Sequence, residues 1–228
     1  MSDGPVIGMD EVGRGALAGP VAVGACVSPL VRLDHERAME GMPKGLADSK
    51  YLTDRARLAI AQEVARWARP VAIGFASAAE IDTYGINSAL QLAGIRALEA
   101  IAGGGTIPAT ILLDGSYDWL TPTDQLLDDN DITARFAALH NPTVVTRVKA
   151  DATSCVVAAA SVIAKVSRDH LLKTIPDPGY GWAAHKGYSA ATHRHAIDAL
   201  GPHPMHRLTW KLTPTSGKSS AGRGMMRQ

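Results

Sequence analysis

Two adjacent carboxylates, Asp10 and Glu11, interrupt the apolar stretch VIGMDEVGRGALAGPVAVGACV at residues 6–27, and Gly13-Arg14-Gly15 follows at once. No other feature limits the fold as tightly. A run rich in Val, Ile and Met belongs inside a sheet, where a buried charge is costly unless something pairs with it. Successive strand residues face opposite sides. One of the two acids must therefore point into a core unless the pleat breaks, and Gly13 and Gly15 permit such a break.

The rest of the chain supplies a setting for that strand. Residues 5–9, 20–27, 71–76, 109–113 and 143–148 are short, rich in Val and Ile and bounded by Gly, Pro or Asn, and they read as strands. The first two, joined by a glycine-rich turn, are expected to pair antiparallel. Helical spacing predicts helices over 52–69, with Thr53 as N-cap, and over 85–105, 151–172 and 189–201. The third carries four alanines in its apolar stretch, which suits a helix lying close against a sheet. The expected fold is α/β with a mixed sheet: a catalytic unit over 1–174, a helical appendage over 175–212 and a polar, basic, disordered tail over 213–228.

Acids recur where these elements end. Asp114 closes the strand in TILLDG, and Asp151 follows the strand TVVTRVKA and opens the long helix. Each has a plain structural reading: Asp151 as a helix N-cap, Asp114-Gly115 as a turn. The pair Asp10-Glu11 is harder to explain that way. Acids delivered by three central elements converge on one sheet edge, where without cations they would repel one another and raise their pKa values. Divalent metal removes the conflict. Oxygen-only ligands favour Mg²⁺ or Mn²⁺ over zinc, and a two-ion site is suited to in-line displacement at phosphorus.

Other classes are disfavoured. GRGALAG is one residue longer than the dinucleotide fingerprint and lacks the Gly-Lys-Ser/Thr ending of a P-loop, and the preceding acids would repel a pyrophosphate. Formal net charge is only +1, so a polyanion must be met by local clusters of Lys and Arg. Cys26 and Cys155 lie in apolar runs and are expected to be reduced. With neither a signal peptide nor a membrane-spanning run in the sequence, a soluble, cytoplasmic protein is expected. Histidines 185, 193, 195, 203 and 206 have irregular spacing and no nearby Cys, which argues against zinc; they are expected as partly solvated phosphate contacts and helix-end groups.

The blocks GMDEVGRGALAGPVAVGACV, LADSKYL (46–52), ILLDG (111–115), KADATSCVVAAASVIAKVSRD (149–169) and HKGYSAATHRHAIDALGPHPMHR (185–207) resemble, in order, those of type 2 ribonucleases H, in particular the bacterial ribonuclease HII branch. The resemblance covers about residues 5–212 and implies a ribonuclease H-like fold. Its metal-binding acids match Asp10, Glu11, Asp114 and Asp151. The loop that contacts the 2′-hydroxyl matches Gly13, Arg14 and Gly15. The tyrosine that packs on the following deoxyribose matches Tyr188, and Lys50, His185 and Lys186 fall where the family has polar or phosphate-side residues. The implied activity is metal-dependent hydrolysis of RNA in RNA/DNA hybrids and cutting 5′ of ribonucleotides embedded in duplex DNA, leaving 3′-hydroxyl and 5′-phosphate ends.

The family pattern is not followed everywhere. Ser189-Ala190 stand where Gly-Thr is usual, and Ala150 where Gly is common; residues 29–45 and 118–131 match poorly and receive no role. A monomer needs no special feature, and nothing in the tail assigns a replication-clamp partner. Two rivals remain open from sequence: a catalytically silent nucleic-acid-binding module, and a two-metal nuclease indifferent to the sugar.

Overall fold

The computed structural model describes residues 4–28, 42–46, 53–123 and 132–212. Lys50 and the tail over 213–228 lie outside the described residues. Within them the chain runs β1 (Val6–Val12), β2 (Val21–Val27), α1 (Asp54–Trp67), β3 (Val71–Ala76), α2 (Ala78–Tyr84), α3 (Ile86–Gly103), β4 (Thr110–Asp114), α4 (Ile132–Ala138), β5 (Thr143–Arg147), α5 (Ala150–Thr153), α6 (Cys155–Thr174), α7 (Trp182–His185) and α8 (Ala191–Leu200).

The strands form one mixed sheet in the order β3-β2-β1-β4-β5. β2 pairs antiparallel with β1, as expected, and with β3, while β1–β4 and β4–β5 are parallel. Each expected strand is present, but β1 is longer than its apolar pattern. It continues through the pairs Asp10↔Gly24, Glu11↔Val23 and Val12↔Ala22. Ladder hydrogen bonds are made by the backbone, so two acids do not end a strand whose partner continues beside them.

Two helices cover the two faces. On one, Leu90, Ile95 and Leu98 of α3 pack with Ile7, Met9, Ile111 and Leu113 of the sheet. On the other lies α6, whose Ala158, Ala159 and Ala160 join Cys26 and the α1 residue Val64 in a second core. Its closeness depends on missing side chains in the sheet. A Cβ on Gly8 would stand 2.7 Å from the Val156 carbonyl oxygen, and one on Gly24 would collide with the carbonyl of Ala160.

The single helix expected over 151–172 is instead two, α5 and α6, separated by Ser154 at φ −131°, ψ 117°. The reason is a tether: Asp114 Oδ1 accepts the Ala150 amide at 2.6 Å and pins the short first helix to the end of β4. Asp151 is thus not the N-cap of the long helix. Thr53 does cap α1, accepting the Ala56 amide at 3.3 Å.

The segment 175–212 knits itself to the loop between β1 and β2. Leu17 donates its amide to Gly187 at 2.8 Å, Gly19 to Met205 at 2.8 Å, and Arg207 to Leu17 at 2.9 Å. Leu17, Leu172, Tyr180, Trp182 and Ile197 form a third apolar cluster there. Among the described residues no helix is long and apolar enough to cross a membrane.

Candidate active site

The parallel register of β1 and β4 ends at Met9↔Leu113, so the next step sets Asp10 level with Asp114. Alternation along β1 puts Asp10 on the face of Gly8, toward α6, where the Ser161 hydroxyl hydrogen-bonds its carboxylate. Glu11 takes the other face. There Arg14 Nη1 stands 3.6 Å from Glu11 Oε1, and Arg14 Nη2 donates to Asn87 Oδ1 of α3 at 3.1 Å. The pleat does not break: the acids separate onto two faces, each met by a partner. Asp114, bonded to the Ala150 amide, brings α5 against the end of β4, with Asp151 the next residue along.

Burial pushes the Asp10 carboxyl up to about 7; the Ser161 hydrogen bond opposes this, and the Glu11 and Asp114 charges add to it. Glu11 is raised as well, by burial first, with the Arg14 cation pulling against it. Asp151 lines a cavity of about 460 Å³ with Leu112, Arg147, Ser154 and Cys155. Asp10, Glu11 and Asp114 therefore stand at one end of the β1–β4 pair, and Asp151 lies in the short helix α5 tied to that end through the Ala150 amide. Among the described residues, no group of three or more His, Cys, Asp or Glu is arranged to hold a metal ion.

The loop after β1 is braced from beneath by two buried arginines. Arg207 donates from Nη2 to the Gly13 carbonyl at 2.6 Å and from Nη1 to that of Arg14 at 2.7 Å. Arg168 donates to the carbonyls of Pro20, Ala18 and Lys186 at 2.8, 3.1 and 2.9 Å. Gly13 has φ 83°, and a Cβ there would collide with the Arg168 guanidinium. With the Gly13 and Arg14 carbonyls held inward, Arg14 and Gly15 lie exposed. Both buried cations are depressed: Arg168 by burial, Arg207 to about 10 by burial and then by the like charge of Arg168. The Arg207 guanidinium also lies over the Trp210 ring, 4.6 Å from its centroid.

Tyr188 stands beside this loop. Its ring lies 5.3 Å from the Arg168 guanidinium and 5.8 Å from Lys165 Nζ. Its two expected neighbours serve the scaffold. Lys186, at φ 53°, donates from Nζ to the Ala183 and Ala184 carbonyls and so caps α7. His185 has Nε2 on the Tyr180 carbonyl at 2.7 Å and Nδ1 on the Gly187 amide at 3.2 Å. His193 and His206, expected as partly solvated, are fully buried and bonded to each other. At the Ser189-Ala190 departure, Ser189 Oγ accepts from Arg194 Nε at 2.7 Å, tying the turn to α8.

Sequence reading missed Ser161, Asn87 and Arg168, and it took Arg207 as a basic neighbour of the C-terminal histidines, not as a buried brace. One signal was available: Arg168 follows a long apolar stretch in a helix predicted to lie against a sheet, where an arginine needs acceptors.

Comparison with known proteins agrees over nearly the whole chain. The family model for ribonuclease HII matches residues 7–213. Ribonuclease HII of Streptomyces avermitilis is 40% identical over 207 residues, covering 90% of this chain and 76% of that protein. Ribonuclease HII of Caulobacter vibrioides is 40% identical over 208 residues, covering 90% and 84%. Among solved structures, ribonuclease H2 from Pyrococcus horikoshii OT3 superposes with a TM-score of 0.66 at 25% identity, over 91% of this chain and 94% of that one. A mixed five-stranded sheet with helices on both faces, carrying acids on two adjacent parallel strands, sets the structural class. The chain belongs to the ribonuclease HII family. It is an endoribonuclease, a hydrolase acting on the RNA strand of RNA/DNA hybrids.

Proposed function

We propose that this enzyme cuts on the 5′ side of ribonucleotides, including single ones embedded in duplex DNA, using Asp10, Glu11, Asp114 and Asp151 as ligands for divalent metal and the Gly13-Arg14-Gly15 loop with Tyr188 as its reader of the sugar. The observation that carries this reading is the β1–β4 register, which sets Asp10 level with Asp114 and leads directly into that loop.

The donor set suits Mg²⁺ or Mn²⁺. It is all oxygen, and the raised Asp10 is flanked by the like charges of Glu11 and Asp114, with no cation among the described residues acting on it. Divalent metal, when bound, supplies activation of water and neutralisation of charge developing at phosphorus. Ser161 orients Asp10, the Ala150 amide orients Asp114, and Arg14 partly screens Glu11. The loop, its carbonyls turned inward, can approach a sugar closely at Gly15, where no side chain intervenes. A 2′-hydroxyl both donates and accepts, so backbone groups suffice to recognise it. The flat face of Tyr188 suits a deoxyribose and would clash with an added hydroxyl. We place the enzyme in the cytoplasm as a monomer, a setting consistent with the free thiols of Cys26 and Cys155.

The direct test is cleavage of an end-labelled DNA duplex carrying one ribonucleotide, with Mg²⁺, with Mn²⁺ and with chelator, beside an all-DNA control. Metal-dependent cutting 5′ of the ribonucleotide with the control intact is the expected result. Cutting of both duplexes would move the protein to the sugar-indifferent nucleases, and binding without cutting would leave a silent module.

A further inference from the structure

Beneath Tyr188 two buried imidazoles face one another, His193 Nε2 and His206 Nε2 being 3.1 Å apart. Their protons can be assigned by elimination. His193 Nδ1 lies 2.9 Å from the Tyr188 carbonyl, which only accepts, so this nitrogen carries the hydrogen. In the neutral ring its Nε2 must then accept, which makes His206 Nε2 the donor. His206 Nδ1 is left as an acceptor, and the His203 amide donates to it at 2.8 Å. One neutral tautomer of each ring satisfies the Tyr188 carbonyl, the link between the rings and the His203 amide, and leaves unused only the longer approach of His206 Nδ1 to the His203 carbonyl at 3.2 Å. A second proton on either ring would set donor against donor, in keeping with the depression of both by burial.

The rings are also held from the sides. His185 stacks on His193 with centroids 4.1 Å apart, and Tyr180 meets His206 edge-on at 4.7 Å. A buried polar chain in which each member is satisfied specifies a single geometry.

What the chain joins gives it meaning. One end is the backbone of Tyr188. At the other, His206 bridges to Ala18, and the next residue, Arg207, holds the carbonyls of Gly13 and Arg14. The two imidazoles thus lie between the two elements assigned to reading the sugar.

We propose that His193 and His206 are positioning residues that set Tyr188 at a fixed distance from the Gly13-Arg14-Gly15 loop, and so determine how sharply an RNA-to-DNA junction is discriminated. This rests on the junction-reading role proposed above for Tyr188. Neither imidazole reaches substrate. Their effect passes through the Tyr188 backbone.

The experiment compares kcat/KM on a duplex with one embedded ribonucleotide and on a long RNA/DNA hybrid for the full-length wild type, H206L, H206Q, Y188A and the double variant Y188A/H206L. H206L is expected to lose about tenfold on the single ribonucleotide, the worth of roughly one hydrogen bond, and less than about threefold on the hybrid. H206Q, whose amide can donate where His206 Nε2 does, should recover most of the loss. In the Y188A background H206L should add nothing. Equal losses on both substrates, or an undiminished loss in the Y188A background, would overturn the positioning role and leave Tyr188 as reader untouched. If Y188A itself cuts both substrates like wild type, the reading of Tyr188 falls and this inference falls with it. Should H206L not fold, H193N, which can keep a donor on the Tyr188 carbonyl but loses the link to His206, is judged by the same comparison.

Discussion

At the scale of single residues, burial explains the most. Asp10 is destabilised by its own charge, since a carboxylate raised from 3.8 to about 7 holds its proton more tightly folded than unfolded. Between those two values stability falls as pH rises, and above about 7 the whole cost, of order 4 kcal/mol, is present. Asp10→Asn should therefore raise the unfolding temperature at pH 8 in chelator, with the advantage disappearing below pH 4, while activity drops at least about a thousandfold. A thermal melt with an activity assay checks both, and near-normal activity would remove Asp10 from the site. Arg207 makes a second case. Arg207→Met removes the donor on the Arg14 carbonyl, at about 1 to 3 kcal/mol, and leaves the Gly13 carbonyl with the Ala16 amide at 3.2 Å alone; kcat/KM on an embedded ribonucleotide should fall at least tenfold. Because Lys cannot offer two parallel donors, Arg207→Lys is expected to resemble Met more than wild type. Full activity in the Lys variant would show that charge alone matters there.

Elements meet where side chains have been left out. Gly24 pairs across the ladder with Asp10 and abuts the carbonyl of Ala160, one residue before Ser161, the partner of Asp10. Gly24→Ala must push α6 away from the sheet. Overpacking of this kind costs about 1–3 kcal/mol, a fall of several degrees in unfolding temperature for a chain of this length, and it should lower activity per folded molecule by disturbing Ser161. An active variant with an unchanged melt would show that α6 does not need this closeness. The strand pattern was readable because β-branched runs between Gly, Pro and Asn report burial directly. The helix breaks were less so. Ser77 and Glu80 form a capping box that marks the start of α2 in plain sequence terms, yet that helix was not predicted. The break at Ser154 was not visible at all, because the bond that causes it joins Ala150 to Asp114, 36 residues away.

For the whole molecule, the loop after β1 and the segment 175–212 share one polar interior, and its response to acid follows. Burial holds His206 down to about 4 from an ordinary 6.5, so the unfolded chain takes up its proton first. Stability from this group is complete above about pH 6.5 and is lost as pH falls toward 4. His206→Gln should flatten that limb of the stability curve measured by chemical denaturation between pH 7 and 4; an unchanged acid limb would mean that the buried pair does not control it. The sequence by itself determined the class of fold, the five strands, the acids and the loop, because hydrophobic period and adjacent residue types are local properties. It determined the family too, since those motifs keep their order along the chain. Only the tertiary structure decided which groups face one another: that Asp10 and Glu11 part onto opposite faces, that Lys186 and His185 bond to the backbone of their own turn, and that Arg168, Arg207 and two neutral histidines brace the loop after β1 and the backbone of Tyr188. These are contacts between residues far apart in the chain, and burial, which sets their charge and hydrogen bonding, exists only once the chain has closed on itself.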